Sequence, residues 1–257
     1  MRPVLIHLGP IPIYAYGLAL AVAFVVGSWI GARRARKAGV NEDHVYGVAT
    51  WSFVAALIGS RLMHLIVERP DLLSKPGDWL KIWEGGLVFY GGFIGAVAAS
   101  ILYARVKNVS FWTLADLTAP AIALGHAFVR IGCFLNGCCY GKPAKWGIVF
   151  ASLRDHTPRQ PTQLYESATG LLLFLGLLEW EKRFQKAKGE LVLVYAAAYG
   201  VVRFVIELLR DDDRGGRFLA LSISQAIGIA GLLAGVIGVI ICRRPSSSSP
   251  SSSSSPS

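Results

Sequence analysis

The sequence predicts an all-α polytopic membrane protein with seven transmembrane helices. Of the 257 residues, 53% are hydrophobic and 16% are charged, whereas about 25% are charged in an ordinary soluble protein. The mean hydropathy is +0.48, so the chain has more apolar residues than the core of one soluble protein of this size would bury. Apolar runs of about 20 residues, the length that crosses a bilayer as a helix, recur along the chain.

Seven apolar runs account for the predicted helices. Three contain no charged residue, and the other four contain one or two each. The first run is followed by a cluster of arginines, so we predict a retained helix and not a cleaved signal. The predicted spans are 11–32, 45–67, 85–104, 117–135, 163–178, 191–209 and 218–242.

The distribution of Lys and Arg predicts the orientation, with the N-terminus outside and the C-terminus in the cytoplasm. In this topology the cytoplasmic segments are short and rich in cations, and the outer segments are longer and also contain acids. Cations in clusters between apolar runs are typical of loops that face anionic lipid, so we expect no nucleic-acid partner despite the net charge of +10. The cytoplasmic cations are Arg33, Arg34, Arg36, Lys37, Arg105, Lys107, Lys182, Arg183, Lys186, Lys188, Arg243 and Arg244.

The chain is predicted to form one transmembrane domain over residues 1–244, with small extracytoplasmic cap segments such as 142–159. Residues 245–257 contain only Ser and Pro. This composition offers no apolar side chain to bury, so the segment is predicted to be a disordered cytoplasmic tail.

Charged residues inside the spans indicate a site. A charged residue at mid-bilayer costs about 2.5–3.5 kcal/mol on insertion scales, so it needs a partner or a role. The alternation of the spans puts Arg61, Arg130, Glu166, Arg203 and Glu207 in the outer half of the bilayer. Each Arg alone could extend its side chain to the interface, but three of them at one level, with carboxylates, favour a shared site.

Helical spacing makes this site more specific. Arg203, Glu207 and Arg210 are spaced as i, i+4 and i+7 on one helix face, and His126 and Arg130 follow the same spacing. Guanidinium groups bind phosphate oxygens in pairs and keep their charge at physiological pH. We therefore predict a site for a phospholipid head group, in which Glu207 orients Arg203.

The segment from Arg130 to Gly141 (RIGCFLNGCCYG) contains three further features. Its glycines permit sharp turns where the chain leaves the membrane, and the amide of Asn136 can donate hydrogen bonds. Taken alone, the segment also fits a helix cap followed by a loop. The C-x4-C-C spacing of Cys133, Cys138 and Cys139 matches no familiar metal pattern. These thiols are therefore predicted to be structural or incidental, and no metal or organic cofactor is predicted.

With these residues in place, the chain resembles the bacterial phosphatidylglycerol–prolipoprotein diacylglyceryl transferases from about Gly9 to Gly228. The order and spacing of seven pieces fit that family. They are GPIPIYAYG (9–17), GSRL (59–62), GGLVFYGGFIG (85–95), LADLTAP (114–120), the segment 130–141, PTQLYE (161–166) and YGVVRFVIELLR (199–210).

The resemblance implies an inner-membrane enzyme that faces the outer leaflet and acts on phosphatidylglycerol and prolipoprotein signal peptides. It would transfer a diacylglyceryl group to the thiol of the lipobox cysteine, forming a thioether and releasing glycerol 1-phosphate. By motif match, Arg130 would contact the phospholipid. Other motif positions are expected to bind substrate or take part in the reaction; they are Tyr16, Arg61, Asn136, Gly141, Gln163, Arg203, Glu207 and Arg210.

The chain departs from the family pattern at several places. The family often has His where this chain has Tyr90, and that His has been regarded as the proton acceptor. It often also has His at Gln160, Asn at Cys133 and Glu at Cys138. Without the imidazole at position 90, the base that takes the thiol proton is predicted to be Tyr90 or His126. A His held by a carbonyl in the core is the alternative for position 126.

Two other functions stay open from the residues alone. A lipid or anion transporter would also place arginines within spans, but it predicts polar residues along the whole depth of several helices. The inner halves at 18–26 and 93–102 are almost wholly apolar, which favours action on one leaflet. A catalytically silent lipid-binding relative is the third interpretation, because of Tyr90.

Overall fold

The structure is a computed structural model of the chain that describes residues 4–8, 11–74, 77, 79, 86–151, 153, 156–211, 217–218 and 221–244. This part of the chain forms seven α-helices of 18 to 26 residues. The helices are α1 (Ala15–Lys37), α2 (Asp43–Met63), α3 (Phe89–Val106), α4 (Phe111–Asn136), α5 (Thr162–Arg183), α6 (Glu190–Leu209) and α7 (Ile223–Cys242).

The protein is a mostly helical, polytopic membrane protein. By length and composition, all the helices except α5 are apolar and long enough to cross a membrane. Helix α2 continues as a π-helix from His64 to Glu68. The helix α5 falls short because polar residues occupy both its ends, from Thr162 to Glu166 and from Glu179 to Arg183. The described residues thus confirm a mostly helical, multi-pass membrane fold, with six helices long and apolar enough to cross a membrane where the sequence predicted seven.

Several helix ends differ from the predicted spans. The first span was predicted from residue 11, but β2 (Ile11–Tyr14) pairs antiparallel with β1 (Val4–Leu8), and α1 starts at Ala15. Pro12 explains the difference, because proline lacks the N–H that a helix interior needs. The third helix starts at Phe89 instead of residue 85, after an extended Val88. The last helix starts at Ile223 instead of residue 218, because Ser222 and Gln225 form a capping box.

Helix α4 is the centre of the bundle and contacts α1, α2, α3, α5 and α6. It contains Pro120, which cannot donate to the carbonyl of Asp116 four residues earlier. Arg34 of α1 donates to that carbonyl at 2.9 Å and also to the carbonyl of Leu117. A buried arginine thus satisfies the backbone oxygen that the proline leaves without an intrahelical donor.

A polar cluster closes the end of the bundle where α4 and α6 begin. The buried carboxylate of Asp116 accepts hydrogen bonds from the N–H groups of Gly189 (2.6 Å) and Val192 (2.9 Å), and so caps α6. Arg34 forms an ion pair with Glu181 at 2.8 Å, and Glu190 forms one with Arg243. The charged groups of this cluster pair with one another and with backbone N–H groups, which indicates a structural role.

Short two-stranded sheets lie outside the helices. The strand β3 (Pro143–Val149) pairs with β4 (Pro158–Arg159) in the predicted cap segment, and β5 (Arg217–Phe218) pairs with β6 (Leu221–Ser222) before α7. The predicted tail at 245–257 lies outside the described residues.

Candidate phosphate-binding site

Glu166 is the centre of a buried ionic cluster at the opposite end of α4 and α6. Its side chain is 3% exposed. One carboxylate oxygen, Oε2, lies 2.6 Å from Nε of Arg130 and 3.5 Å from Nε2 of His126. The other, Oε1, lies 2.9 Å from Nη1 of Arg210 and 3.9 Å from Nη1 of Arg203. One carboxylate of α5 thus joins Arg130 of α4, Arg203 of α6 and Arg210, which directly follows α6.

These side chains meet because their helices run in alternating directions. Glu166 is four residues after the start of α5, and Arg130 and Arg203 are each six residues before the ends of α4 and α6. At about 1.5 Å per residue, they lie roughly 6 to 9 Å from the helix ends. The sequence predicted a common level for Arg61, Arg130 and Arg203, and Arg130 and Arg203 share it around Glu166.

A second carboxylate, Glu207, holds Arg203 from the other side. Its Oε2 lies 3.2 Å from Nη2 of Arg203, in the i, i+4 arrangement that the spacing predicted. Ser222 donates to Oε1 of Glu207 at 3.0 Å, and Arg203 donates to Oγ of Ser224 at 2.8 Å. The start of α7 thereby fixes the ion pair of α6.

Arg210 reaches the cluster in a different way from the one that its helical spacing predicted. It follows the last helical residue of α6 and has an extended backbone, with ψ at 155°. Its backbone pairs with that of Gly141, and the N–H of Lys142 donates to the carbonyl of Leu209 at 2.8 Å. The turn after α4 therefore directs the side chain of Arg210 to Glu166.

Gly141 allows this close pairing. A Cβ atom at position 141 would lie 2.6 Å from the carbonyl oxygen of Leu209 and 2.7 Å from Cγ2 of Thr162. These distances are well below van der Waals contact. A side chain at position 141 would therefore push the turn away from the end of α6.

The turn after α4 is also held by α5. Gly137 ends α4 in the left-handed conformation, with φ at 74°, directly after Asn136. The buried Gln163 donates to the carbonyl of Cys138, and Thr162 donates to the carbonyl of Cys139 at 2.8 Å. The predicted site residues Asn136, Gly141 and Gln163 therefore belong to one structural unit next to the arginines.

The two predicted bases occupy different surroundings. His126 lies within the cluster, with its Nε2 near Glu166 and its ring edge-to-face with that of Tyr199 at 5.2 Å. Tyr90 is half-buried at the start of α3, with its ring 5.8 Å from that of Phe89. Among the described residues, no hydrogen bond joins Tyr90 to the arginines. Of the two predicted bases, His126 is therefore the one in contact with the ionic cluster.

Tyr16 and Arg61 lie on two other helices, α1 and α2. Tyr16, at the start of α1, lies against the last turns of α4, where a Cβ atom added at Gly132 would lie 3.2 Å from the Cα atom of Tyr16. Arg61 is buried and donates to the carbonyls of Trp79 at 3.1 Å and Gly86 at 3.3 Å. These bonds hold the segment between α2 and α3, so a contact of Arg61 with substrate stays a prediction.

Two features of the site are not predicted from the sequence. Glu166 was placed in the membrane, but its function as the common partner of three arginines was not predicted. Its position in the PTQLYE piece and its charge within an apolar run were the signals. The sulfur atoms of Cys133, Cys138 and Cys139 all lie within 4.8 Å of one another. The spacing of these cysteines gave no sign of this.

Comparisons with known proteins match nearly the whole chain to one family. Residues 3–241 match the family model of prolipoprotein diacylglyceryl transferase. The chain is 36% identical to the phosphatidylglycerol–prolipoprotein diacylglyceryl transferase of Clostridium tetani, over 92% of this chain and 96% of that protein. It is 34% identical to the enzyme of the same name from Bordetella avium, over 96% and 97% of the two chains. The enzyme of that name from Geobacillus kaustophilus is 36% identical over 82% of this chain and 81% of its own.

Proposed function

The chain belongs to the prolipoprotein diacylglyceryl transferase family, and we propose that it moves a diacylglyceryl group from phosphatidylglycerol to the lipobox cysteine of a prolipoprotein. In this reaction a sulfur–carbon bond forms at the glyceryl carbon, and the bond from that carbon to the phosphate oxygen breaks. The electron pair of the broken bond leaves with glycerol 1-phosphate. The thiol loses its proton, and the product is a thioether.

The concentration of arginines around one buried carboxylate carries this proposal. Arg130, Arg203 and Arg210 all lie within ion-pair distance of Glu166. Guanidinium groups present paired N–H donors that match phosphate oxygens, and they stay charged at physiological pH. The phosphodiester of phosphatidylglycerol is an anion that such donors bind.

Arg130 and Arg203 are the residues we assign to the phosphate. The Nη1 atom of Arg203 is buried and has no hydrogen-bond partner among the described residues, so it offers a donor to a phosphate oxygen. As the carbon–oxygen bond breaks, negative charge grows on the leaving phosphate. Guanidinium groups that are already fixed in place stabilise that charge most effectively. Glu207 keeps Arg203 in this orientation.

The remaining residues of the site have supporting roles in this proposal. Arg210, Asn136, Gly141 and Gln163 shape the turn beside the head group, and Arg61 contributes to substrate binding from α2. Tyr16, Tyr90 and His126 are the candidates for handling the proton of the incoming thiol. The lipobox cysteine needs such help, because only a few per cent of a free thiol is ionised at neutral pH.

The site is proposed to face the outer leaflet of the bacterial inner membrane. In that topology α5 is the seventh span, the N-terminus is outside and the C-terminus is cytoplasmic. The cation clusters at the ends of α1, α3, α5 and α7 support this orientation. The polar cluster around Asp116 would then lie on the cytoplasmic side.

A transfer assay with purified protein tests the proposal. The protein is incubated in detergent–lipid micelles with phosphatidylglycerol labelled in its acyl chains and a synthetic lipobox peptide. The expected result is a labelled peptide whose bond resists reductant, as a thioether does, and one glycerol 1-phosphate for each peptide modified. Lipid binding without any labelled peptide would identify a silent lipid-binding relative instead.

Matched arginine variants locate the reaction. Arg203→Lys keeps the charge and loses the paired geometry, so transfer should fall by about 100-fold or more, as for the loss of one transition-state donor. Arg105→Lys changes an exposed arginine at the end of α3 and should leave the rate unchanged. Equal activity of both variants would rule out the arginine cluster as the site of transfer.

A further inference from the structure

The three cysteines beside the arginine cluster form a convergent set of sulfur ligands. Cys133 lies in the last turn of α4, and Cys138 and Cys139 lie in the turn that follows. Although four residues lie between the first cysteine and the second, all three sulfur atoms lie within 4.8 Å of one another. The remaining cysteine, Cys242, is at the end of α7, and all four are free thiols.

The backbone that carries these thiols is held in an unusual conformation. Cys139 has φ at +65°, a region that non-glycine residues rarely adopt. The buried side chains of Thr162 and Gln163 fix the carbonyls of Cys139 and Cys138. Arg210 also lies within hydrogen-bonding reach of the Cys139 sulfur. Strained residues that are fixed by buried polar groups are typical of functional sites, and incidental thiols do not require this support.

The spacing of the sulfur atoms fits a metal ion that is bound by thiolate ligands. Zinc–sulfur bonds of about 2.3 Å in a tetrahedral site hold the sulfur ligands about 3.8 Å apart. A set within 4.8 Å reaches that geometry with side-chain movements of about 1 Å or less. Thiolate ligands select soft or borderline ions such as Zn²⁺ over Mg²⁺ or Ca²⁺.

We propose that Cys133, Cys138 and Cys139 bind Zn²⁺ and leave its fourth position open for the thiol of the lipobox cysteine. This inference rests on the proposed transferase function and names the group that activates the nucleophile. Three protein ligands with an open fourth position are typical of catalytic zinc, whereas structural zinc has four. A thiol that coordinates zinc loses its proton, so the site supplies a thiolate without a side-chain base.

The location of the three sulfurs suits this role. Cys133 follows Arg130 by three residues in α4, so the two side chains lie on the same side of the helix. Cys138 and Cys139 are half-buried, so the cluster opens on their side, whereas Cys133 is buried. A thiolate on the metal would thus lie next to the phosphate that Arg130 binds.

The step balances without an oxidant or reductant. The lipobox thiol binds the zinc ion as a thiolate and releases its proton to water. The sulfur then attacks the glyceryl carbon, the carbon–oxygen bond breaks, and its electron pair leaves on the phosphate oxygen of glycerol 1-phosphate. The thioether binds zinc more weakly than the thiolate and leaves the metal, which stays on the three protein thiolates.

Metal binding by the purified full-length chain is the first test. After reduction and chelation, the protein is titrated with Zn²⁺ in competition with a chromophoric chelator, and with Co²⁺, whose thiolate charge-transfer absorption reports sulfur ligands. The expected result is one ion per chain, with affinity lowered by at least about tenfold in Cys133→Ser, Cys138→Ser and Cys139→Ser. The variant Cys242→Ser is the matched control and should bind as the wild type does. Binding that is absent after full reduction, or equal in all four variants, would overturn the site.

The open coordination position is tested without relying on transfer. A lipobox peptide added to the Co²⁺ protein in the absence of lipid should strengthen the sulfur-to-cobalt absorption, and the same peptide with its cysteine changed to serine should not. If both peptides leave the spectrum unchanged, the proposed activation is wrong. Neither metal binding nor the cobalt spectrum uses phosphatidylglycerol, so failure of the transferase assay alone leaves the zinc proposal standing. Thiol counts made before reduction would reveal a disulfide among the three cysteines.

Discussion

Glu166 and Arg130 form the ion pair around which the site is built, with 2.6 Å between Oε2 and Nε. The same carboxylate also pairs with Arg210 at 2.9 Å. It therefore links α4, α5 and the end of α6 and neutralises part of a dense positive charge. Without substrate, this carboxylate offsets much of the repulsion between the arginines.

Glu166→Gln should therefore destabilise the protein strongly. Removing one partner of a buried ion pair costs about 3–5 kcal/mol, because the other charge is left uncompensated. We expect a lower unfolding temperature in detergent and a large loss of transfer. Glu179→Gln, on the same helix but 46% exposed, is the control and should change the unfolding temperature little. Added phosphatidylglycerol should restore part of the stability of Glu166→Gln, because its phosphate replaces some of the lost negative charge.

Ser224→Ala tests the support of Arg203 without changing any charge. The variant loses the 2.8 Å hydrogen bond from Arg203 to the Ser224 hydroxyl, and one such bond contributes about 1 kcal/mol net. We expect kcat/KM to fall by about fivefold and the free energy of unfolding to fall by only about 1 kcal/mol. Ser52→Ala removes a hydroxyl that bonds to Ser100 at 2.8 Å between α2 and α3, and its kcat/KM should stay at the wild-type value. A normal rate for Ser224→Ala would mean that Glu207 alone orients Arg203.

The helices could be predicted from the sequence because apolar runs of bilayer length leave little choice of structure. The ends were less predictable, since they depend on local chemistry. Pro12 favours the strand before α1, and Ser222 with Gln225 caps α7. Both signals are visible in the sequence and could have moved the predicted boundaries. The polar residues at both ends of α5 could also have been given more weight.

The candidate site was predictable only within single helices. The spacing of Arg203 and Glu207 placed them on one face, and the structure contains their ion pair. Which helix faces another is a tertiary property, so the convergence on Glu166 did not follow from spacing. The sulfur cluster depends on the left-handed turns at Gly137 and Cys139, which fold the chain back on itself. No ligand-spacing pattern anticipates that geometry.

Asp116→Ala should separate structural carboxylates from those of the site. Asp116 caps α6 through Gly189 and Val192, and its loss leaves buried N–H groups without acceptors, at a cost of about 1–3 kcal/mol each. We expect a clearly lower unfolding temperature, with kcat/KM for transfer close to normal below that temperature. Asp43→Ala, at the start of α2 and outside this polar cluster, is the matched control. A selective loss of transfer by a folded Asp116→Ala would show that this cluster communicates with the site.

Gly141→Ala should damage the site through geometry alone. The added Cβ would lie 2.6 Å from the carbonyl oxygen of Leu209, so the turn after α4 must move away from the end of α6, and Arg210 moves with it. Overpacking of this kind costs about 1–3 kcal/mol of stability. The loss of kcat/KM, expressed as a free energy, should be larger than the loss in the free energy of unfolding. Gly176→Ala is the matched control within α5, where an added Cβ meets nothing within 4 Å. Since alanine favours a helix over glycine by about 0.5–1 kcal/mol, Gly176→Ala should keep full activity and unfold at the same or a slightly higher temperature. Equal activities of the two variants would show that the pairing of Gly141 with Arg210 is not needed for transfer.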